Sequence, residues 1–424
     1  MKWHYTIGDS IAHFTGKNMS TQQNQNFKWG IQTKAIHCGE GIDPVSRASA
    51  PSPVLSSTFV PDELAGFSAL DPGNYSGHIY SRFSNPTTQD LENKLCALEG
   101  AEAACCFASG MGATHALLAS RLNNGDHLVV SDTNYGGTAE LVRDSLPRWG
   151  IEVSLVDTSD LDALKKAIKP NTKMLWIETP ANPIMRLTDI QAASEIARSM
   201  GVRDVAIDST FASPVATKPL ALGVDFVVHS LTKYICGHGD AMGGAVLGRR
   251  AEIEALGTDA RVHYGGVLSP FNAWLIARGA ATLPMRMEAH QKSAFTVARF
   301  LEKHDNVARV LYPGLESHPQ HALACKQMSN FSGMLSFRVR EDGEAVARRM
   351  IARSRFIHHA VSLGHVRSLI YWIPTAEMMV STFRLDAEGE RRYREFAGDG
   401  LFRLSVGIED GEDICEDLER ALAP

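Results

Sequence analysis

Short apolar segments alternate with segments of helical periodicity between residues 85 and 248, and this alternation restricts the possible folds more than any other feature. The apolar segments have the composition of buried strands. They read AACCF, HLVVSD, EVSLVD, KMLWIETP, VAIDST and DFVVHS. Fully apolar strands separated by amphipathic helices are typical of a mostly parallel sheet with helices on both faces. We therefore predict an α/β fold for this part of the chain.

The pattern changes after residue 285, where helical segments accompany fewer strands, GMLSFRV and LFRLSV. A polar, unpatterned stretch precedes Phe27 and is typical of a chain without a packed core of its own. The predicted division is an N-terminal arm, disordered or extended, at 1–26, a connecting segment at 27–84, a large α/β domain at 85–284, and a smaller α+β domain at 285–424. Because Met19 heads a polar run, translation from Met19 is an alternative to translation from Met1.

Charge and composition exclude several classes of function. The formal net charge of -6 gives no bulk attraction to phosphate backbones or anionic membranes, so neither nucleic acid nor a membrane is expected as a partner. No apolar run approaches the roughly 20 residues needed to cross a bilayer, and no signal-peptide core is present, which predicts a cytoplasmic protein. The seven cysteines are scattered without a C-x-x-C pair, so we expect no metal site and no disulfide framework.

Groups with catalytic potential follow the predicted strands, at the carboxyl ends where parallel sheets bind their ligands. In chain order they are Ser109, Gly110, Met111 and Gly112, then Asp132 and Tyr135, then Glu178 and Asn182, then Asp208 and Thr210, then Ser230, Thr232 and Lys233. Taken singly, most of these residues have an ordinary structural explanation, such as capping a helix or facing solvent. Their concentration at one edge of one sheet indicates a ligand site.

An aromatic aldehyde phosphate such as pyridoxal phosphate would use these groups together. Lys233 would carry the aldehyde as a Schiff base, which requires a neutral amine and hence a lowered pKa. Ser230 and Thr232 offer hydroxyls to a phosphate, and the helix that starts near Gly110 offers free backbone N–H groups. Asp208 would pair with a protonated ring nitrogen.

Two further residues complete this hypothesis. Tyr135 would stack on the ring and act as an acid or base. Asn182 would hydrogen-bond the ring's phenolic oxygen. We place a nicotinamide dehydrogenase second, because Gly110-x-Gly112 before a helix, with Asp132 about 20 residues on, imitates the dinucleotide fingerprint. Against it, His115 stands where that fingerprint needs a small residue, and Asp208 and Lys233 would have no role.

Longer motifs extend the comparison over most of the chain. They are YSRFSNPTTQDLENKLCALEG (80–100), ASGMGA (108–113), YGGT (135–138), IETPANP (177–183), DSTF (208–211), HSLTKY (229–234), YPGLESHPQH (312–321) and RLSVGIED (403–410). In order and spacing these motifs resemble the pyridoxal-phosphate enzymes of cysteine and methionine metabolism, which include cystathionine γ-lyase, methionine γ-lyase, cystathionine γ-synthase and homoserine sulfhydrylases. The resemblance implies the fold-type-I architecture of pyridoxal-phosphate-dependent transferases.

The resemblance also implies roles for individual residues. Lys233 and Tyr135 would be catalytic, and the cofactor would be bound by Tyr80, Arg82, Gly110, Met111, Tyr135, Asn182, Asp208, Thr210, Ser230, Thr232 and Lys233. Tyr80 and Arg82 would reach the phosphate of a neighbouring subunit, so 27–84 would contact that subunit in a homotetramer built from two dimers. Arg403 would hold the substrate α-carboxylate as a bidentate pair, with Asn182 and Ser362 nearby.

The chain departs from the family pattern at the substrate side. His365 replaces a glycine and Arg367 an acidic residue of the cystathionine-cleaving relatives, and Ile79 replaces a further acid. Gly137 stands where methionine γ-lyases usually carry a cysteine. We predict a γ-lyase for methionine, an O-substituted homoserine, canavanine or a cystathionine-like amino acid, with γ-replacement as the alternative. Whether His365 and Arg367 bind substrate, or Arg367 pairs with an acid elsewhere in the protein, stays open at this point.

Overall fold

A computed structural model describes residues 28–43, 45–62 and 77–423. The predicted arm at 1–26 and the choice between Met1 and Met19 lie outside the described residues.

The larger sheet carries the predicted apolar strands. Within the described chain it has seven strands in the order β1-β7-β6-β5-β4-β2-β3. The strands are β1 (Ala103–Phe107), β2 (His127–Ser131), β3 (Glu152–Val156), β4 (Thr172–Glu178), β5 (Asp204–Asp208), β6 (Phe226–Ser230) and β7 (Gly244–Gly248). The parallel pairs are β3–β2, β2–β4, β4–β5 and β5–β6. Strand β7 runs antiparallel to both β6 and β1. The prediction of a mostly parallel sheet is confirmed.

Helices and helical turns connect and cover these strands. They are α1 (Ile31–His37), α2 (Pro86–Glu99), α3 (Gly110–Arg121), α4 (Gly136–Glu140), α5 (Leu161–Ala167), α6 (Ile190–Ser199), α7 (Ser213–Ala216), α8 (Arg250–Leu256) and α9 (Pro270–Ala280), with 3-10 turns at Leu146–Trp149 and Pro219–Leu222 and π-helical segments at Leu141–Ser145 and Gly257–His263.

Both faces of the large sheet are buried, and β4 shows how. Leu175 and Ile177 belong to one apolar cluster, whereas Met174 and Trp176 belong to another. Because successive side chains of a strand point to opposite faces, this division places one cluster on each side of the sheet. Two-sided burial explains why the strands are apolar throughout rather than alternating.

A second sheet lies in the C-terminal part of the chain. Its order is β10-β11-β12-β9-β8. Its elements are α10 (Leu283–Lys303), β8 (Val307–Leu311), α11 (His321–Gln327), β9 (Met334–Val339), α12 (Gly343–Arg353), β10 (His358–His359), β11 (Leu369–Pro374), α13 (Thr375–Ser381), α14 (Ala387–Ala397), β12 (Gly400–Ser405) and α15 (Gly411–Leu422). Its core contains Phe337 and Phe402, whose rings stack 5.2 Å apart. This second unit matches the predicted α+β character.

The segment that precedes α2 is anchored on the large domain. The buried Lys94 amine donates to the carbonyl of Ala35 at 2.5 Å and pairs with Glu40 at 2.9 Å. The Trp274 indole donates to the carbonyl of Pro51 over 3.0 Å. These contacts hold the described part of this segment against its own chain.

The loop between β10 and β11 joins the two sheets at one edge. Gly364 has a φ of +72°, and a Cβ built on it would stand 2.6 Å from the backbone nitrogen of Tyr234. The Gly364 N–H donates to the Ser405 hydroxyl at 2.8 Å. A glycine is required here because the loop lies directly on the backbone that follows Lys233. The C-terminal unit therefore contributes its residues to the edge where β6 ends.

Candidate active site

The carboxyl ends of β4, β5 and β6 form one continuous rim. Glu178 and Asp208 are opposite each other in the register of β4 and β5. The N–H of Ser230, at the end of β6, donates to the Thr210 hydroxyl over 2.9 Å. The structure therefore brings together strand-end groups that are far apart in the sequence.

The start of α3 forms one end of the site. Ser109 caps the helix by accepting from the Gly112 N–H at 3.0 Å. The N–H groups of Gly110 and Met111 have no intrahelical acceptor in this position. A Cβ built on Gly110 would stand 2.8 Å from the Ser230 Cβ, so the helix start lies directly against that serine. Free N–H groups beside a hydroxyl are suited to binding an anion.

Thr232 has a further structural role. Its hydroxyl donates to the carbonyl of Gly243 at 3.3 Å and accepts from the Gly243 N–H at 3.1 Å. These bonds tie the turn that carries Lys233 to the start of β7.

Asp208 is the carboxylate at the centre of the rim. Its Oδ1 accepts from the Thr210 N–H over 2.9 Å. Although Asp208 is partly exposed, the surrounding protein buries it enough to raise its pKa, while the Thr210 hydrogen bonds and His229 act in the opposite direction. A carboxylate in such surroundings is stabilised by a cationic partner.

A buried pair behind Asp208 was missed by the sequence reasoning. His229 Nε2 lies 2.8 Å from a carboxylate oxygen of Glu99, and both side chains are almost fully buried. Glu99 comes from the end of α2, so this pair connects a helix to the strand that ends with Ser230. His229 precedes Ser230 in HSLTKY, but its partner cannot be identified from spacing.

Glu178 is a second residue whose role the sequence reasoning did not assign. Its two oxygens accept from the backbone N–H groups of Tyr135 at 2.7 Å and Asn182 at 3.1 Å. Burial, followed by the charge of Asp208, raises the pKa of Glu178 well above its usual range. Glu178 therefore positions the backbones of two predicted site residues.

Lys233 has the properties expected of a reactive amine. Burial, followed by the charge of Arg403, lowers its pKa to about 8. Its Nζ donates to the Ser362 hydroxyl over 2.8 Å. A lowered pKa increases the fraction of neutral, nucleophilic amine near neutral pH.

Arg403 extends from β12 toward the same point. Its guanidinium donates to the Asn182 side-chain oxygen at 3.0 Å and to the Ser362 carbonyl at 3.2 Å. Burial lowers its pKa to about 10. No carboxylate of a described residue forms an ion pair with Arg403. A partly buried, oriented guanidinium of this kind is suited to a carboxylate ligand.

Tyr135 presents its ring at the opening of the site. The side chain is 48% exposed in the single chain. A Cβ built on Gly137 would stand 2.8 Å from the Tyr135 ring and 3.0 Å from the Met111 sulfur. A larger residue at 137 would therefore require both side chains to move.

Four other predicted residues lie away from this cluster or at its edge. Arg82 donates to the Val262 carbonyl at 2.6 Å, and its guanidinium lies 5.6 Å from the Tyr80 ring centroid. His365 is half-buried, and its Nε2 lies 3.3 Å from the Ser362 hydroxyl. Arg367 is exposed, and it forms no ion pair with a carboxylate in the part of the chain that the structure describes.

Comparison with known proteins decides the family. The family model "Cys/Met metabolism PLP-dependent enzyme" matches residues 32–423. The chain belongs to this family.

Similar curated proteins within the family have different named activities. The chain is 43% identical to an L-methionine γ-lyase of Fusobacterium nucleatum subsp. polymorphum, covering 93% of this chain and 98% of that protein. It is 42% identical to a canavanine γ-lyase of Pseudomonas canavaninivorans, covering 92% and 95%. It is also 42% identical to a cystathionine γ-synthase of Mycobacterium bovis, covering 93% and 97%. The family comparison therefore includes both lyases and a synthase.

A solved structure agrees with the fold. Cystathionine γ-lyase from Lactobacillus plantarum, complexed with L-serine, superposes with a TM-score of 0.83 at 34% identity and covers 93% of this chain and 99% of that chain. The fold-type-I assignment is confirmed, and this Cys/Met metabolism enzyme depends on pyridoxal phosphate.

The dinucleotide alternative is wrong. Asp132, the acidic residue that imitates the fingerprint, forms a buried ion pair with Arg186.

The residues at the rim of this Cys/Met metabolism enzyme fit pyridoxal phosphate. The start of α3 and Ser230 supply donors for a phosphate, and the contact at Gly110 leaves no room for a side chain between them. Asp208 supplies a carboxylate for a ring cation, and Lys233 supplies an amine of lowered pKa. No cluster of three potential metal ligands occurs among residues 28–43, 45–62 and 77–423.

The close contact at Gly110 predicts a specific loss of cofactor binding. A Gly110→Ala substitution places a methyl group against Ser230 and should weaken pyridoxal phosphate binding about 10- to 100-fold, as expected for an overpacking strain of about 1–3 kcal/mol. Cofactor titration followed by visible absorption measures this. Gly112→Ala is the matched control, because its Cβ would meet Ser109 at an ordinary 3.4 Å. Equal cofactor affinity of the two variants would contradict the assigned phosphate end.

Proposed function

We propose that this enzyme catalyses γ-elimination on an amino acid whose γ-substituent leaves through a heteroatom. The observation that carries the proposal is the position of the Lys233 amine, which lies 2.8 Å from the Ser362 hydroxyl. The backbone carbonyl of Ser362 also accepts a hydrogen bond from the Arg403 guanidinium. This arrangement supports a role for Lys233 as a base, beside a guanidinium that would receive the substrate carboxylate. The methionine γ-lyase and canavanine γ-lyase among its relatives support elimination.

Arg403 and Lys233 would act on different substituents of the substrate Cα. Arg403, held by Asn182, would bind the α-carboxylate and direct the α-hydrogen toward Lys233. When bound, pyridoxal phosphate supplies the electron sink that makes the protons on Cα and Cβ acidic. Lys233 would accept the α-proton at Nζ and carry it, because an amine of pKa about 8 both gains and loses protons near neutral pH.

Tyr135 would assist departure of the γ-substituent. Its backbone is fixed by the 2.7 Å hydrogen bond to Glu178, while its ring stays half-exposed at the opening. A phenol hydroxyl in this position can protonate the leaving heteroatom.

The substrate-side loop favours a neutral or anionic tail. Arg367 is an exposed cation whose charge acts on His365, and a cationic tail such as the guanidinium of canavanine would be repelled unless it pointed away. The carboxylate or ester oxygen of an acylated homoserine would be attracted. For this reason γ-replacement on an O-acylhomoserine is the second candidate function.

The assembly and location remain part of the proposal. Tyr80 and Arg82 would reach the phosphate in a neighbouring subunit, giving a homotetramer of two dimers in which each dimer shares its active sites. Half-exposed Tyr80, at 41%, is consistent with such a contact. The segment at 27–84 would make this contact, the domain at 85–284 would bind the cofactor, and 285–424 would complete the substrate side.

All seven cysteines are unpaired, which favours a reducing compartment such as the cytoplasm. None of the helices in the described residues has the length and apolarity that crossing a membrane requires.

A substrate panel tests the proposal. Methionine, cystathionine, O-acetyl- and O-succinylhomoserine and canavanine are each incubated with the holoenzyme, and 2-oxo acid, homoserine and ammonia are measured with and without added thiol. We expect 2-oxo acid and ammonia from at least one substrate without thiol. Strict dependence of turnover on thiol would contradict elimination and favour replacement.

A further inference from the structure

We infer that His365 is a proton-relay residue that connects Lys233 to solvent through the Ser362 hydroxyl. This inference rests on the proposed function, in which Lys233 carries the substrate α-proton. It assigns His365 to proton transfer rather than to substrate recognition.

The three side chains form a continuous hydrogen-bonded chain. The Lys233 Nζ donates to the Ser362 Oγ over 2.8 Å, and the Ser362 Oγ lies 3.3 Å from His365 Nε2. Ser362 has a φ of 88°, in the left-handed region that non-glycine residues seldom adopt. Its carbonyl accepts from Arg403 at 3.2 Å. The serine is therefore held in an unusual conformation with its hydroxyl between the amine and the imidazole.

The His365 ring is fixed in place by the loop that follows Lys233. A Cβ built on Gly239 would stand 2.8 Å from the His365 Cε1, so the ring packs directly against this glycine. His365 is half-buried, so solvent reaches part of this residue. The imidazole thus lies between the Ser362 hydroxyl and the backbone of Gly239.

The charges around His365 favour its neutral form. Burial, followed by the charges of Lys233 and Arg367, lowers its pKa, and Asp240 acts in the opposite direction. A group with a lowered pKa is mostly deprotonated at neutral pH, so the ring has a free nitrogen that can accept a proton. Transient protonation is then followed by rapid release to water.

The relay conserves protons and breaks no bond between heavy atoms. A protonated Lys233 gives one proton to the Ser362 Oγ as that hydroxyl gives its own proton to His365 Nε2. The imidazolium then releases its Nδ1 proton to water. The reverse sequence, with Nδ1 taking a proton from water, returns a proton to Lys233.

Exchange of the α-hydrogen of L-norvaline in D2O isolates this proton transfer, because norvaline has no γ-heteroatom to eliminate. We expect the exchange rate of holoenzyme, followed by NMR, to fall about 10²-fold in His365→Asn and His365→Gly, the lower end of the range for positioned acid–base groups. Added imidazole should restore exchange in His365→Gly, and more basic imidazoles should restore more. His358→Asn, at an exposed histidine of β10, is the matched control and should keep the wild-type rate.

A second measurement does not depend on turnover. In substrate-free holoenzyme labelled with ¹⁵N-histidine, the Nε2 resonance of His365, assigned by its loss in His365→Asn, should shift in Ser362→Ala. A shift supports the hydrogen-bonded chain, and an unchanged Nε2 resonance overturns it.

The exchange results also separate this inference from the proposed function. Unchanged norvaline exchange in both His365 variants, with γ-elimination intact in the wild type, overturns the relay alone. If the His365 variants only raise KM, and only for substrates with polar tails, His365 binds substrate and the relay is overturned. Wild-type exchange that depends on His365 without any γ-elimination supports the relay and contradicts the proposed function. Absence of wild-type exchange overturns the relay, and the proposed function is then judged by the substrate panel alone.

Discussion

Replacing Lys233 by alanine should lower kcat by about 10⁴-fold, the upper end of what a positioned acid or base contributes. The Lys233 amine is the only group in the described site that has a pKa lowered to about 8 and a direct hydrogen bond to the Ser362 hydroxyl. Ser362 also contacts Arg403, which would bind the substrate carboxylate. Its removal eliminates the proton acceptor as well as the attachment point for the cofactor. Steady-state turnover with the best substrate of the panel measures this loss.

Lys165→Ala is the control for this variant. Lys165 is exposed on α5, so its loss should leave both kcat and the visible absorption band unchanged. Partial recovery of Lys233→Ala activity by added methylamine would show that the folded site persists and lacks only an amine. A Lys233→Ala enzyme with wild-type kcat would contradict the account.

Replacing Asp208 by asparagine should lower kcat by about 10²- to 10³-fold, the range found when one preorganised electrostatic contact is removed. Asparagine keeps the shape and still accepts from the Thr210 N–H, a bond of 2.9 Å in the wild type. It lacks the negative charge that would hold a proton on the pyridine nitrogen. Turnover and the cofactor dissociation constant, measured together, separate a catalytic loss from a loss of binding.

Asp208→Glu tests whether charge or position matters at this site. Glutamate restores the charge on a longer side chain, so we expect it to recover part of the activity that asparagine loses. Equal activity of Asp208→Asn and wild type would show that Asp208 does not support the ring nitrogen.

Strand-end chemistry was the most predictable part of the site. Parallel strands place their carboxyl ends at one edge, so Asp208, Ser230 and Lys233 could be grouped from the order of strands alone. The apolar segments were recognisable as strands because both faces of the sheet are covered. Strand β7 was missed because GAVLG begins and ends with glycine, which weakens the signal of a strand.

Contacts between the two sheets were not predictable from local pattern. Ser362 reaches Lys233 from the C-terminal unit, and its separation of 129 residues gives no periodic signal. The same applies to His229 and Glu99, which are 130 residues apart. The resemblance indicated that Arg403 and Ser362 lie near the substrate, but the placement of His365 on the Lys233 hydrogen-bond chain emerged only from the packing of loop 362–367 on the backbone after Lys233.

Borohydride reduction identifies the lysine that carries the cofactor. The holoenzyme is reduced with borohydride and digested, and the peptide that bears the pyridoxyl group is identified by mass spectrometry. We expect loss of the visible band and a single modified residue, Lys233. A pyridoxyl group on another lysine, or no modification of a fully active enzyme, would contradict it.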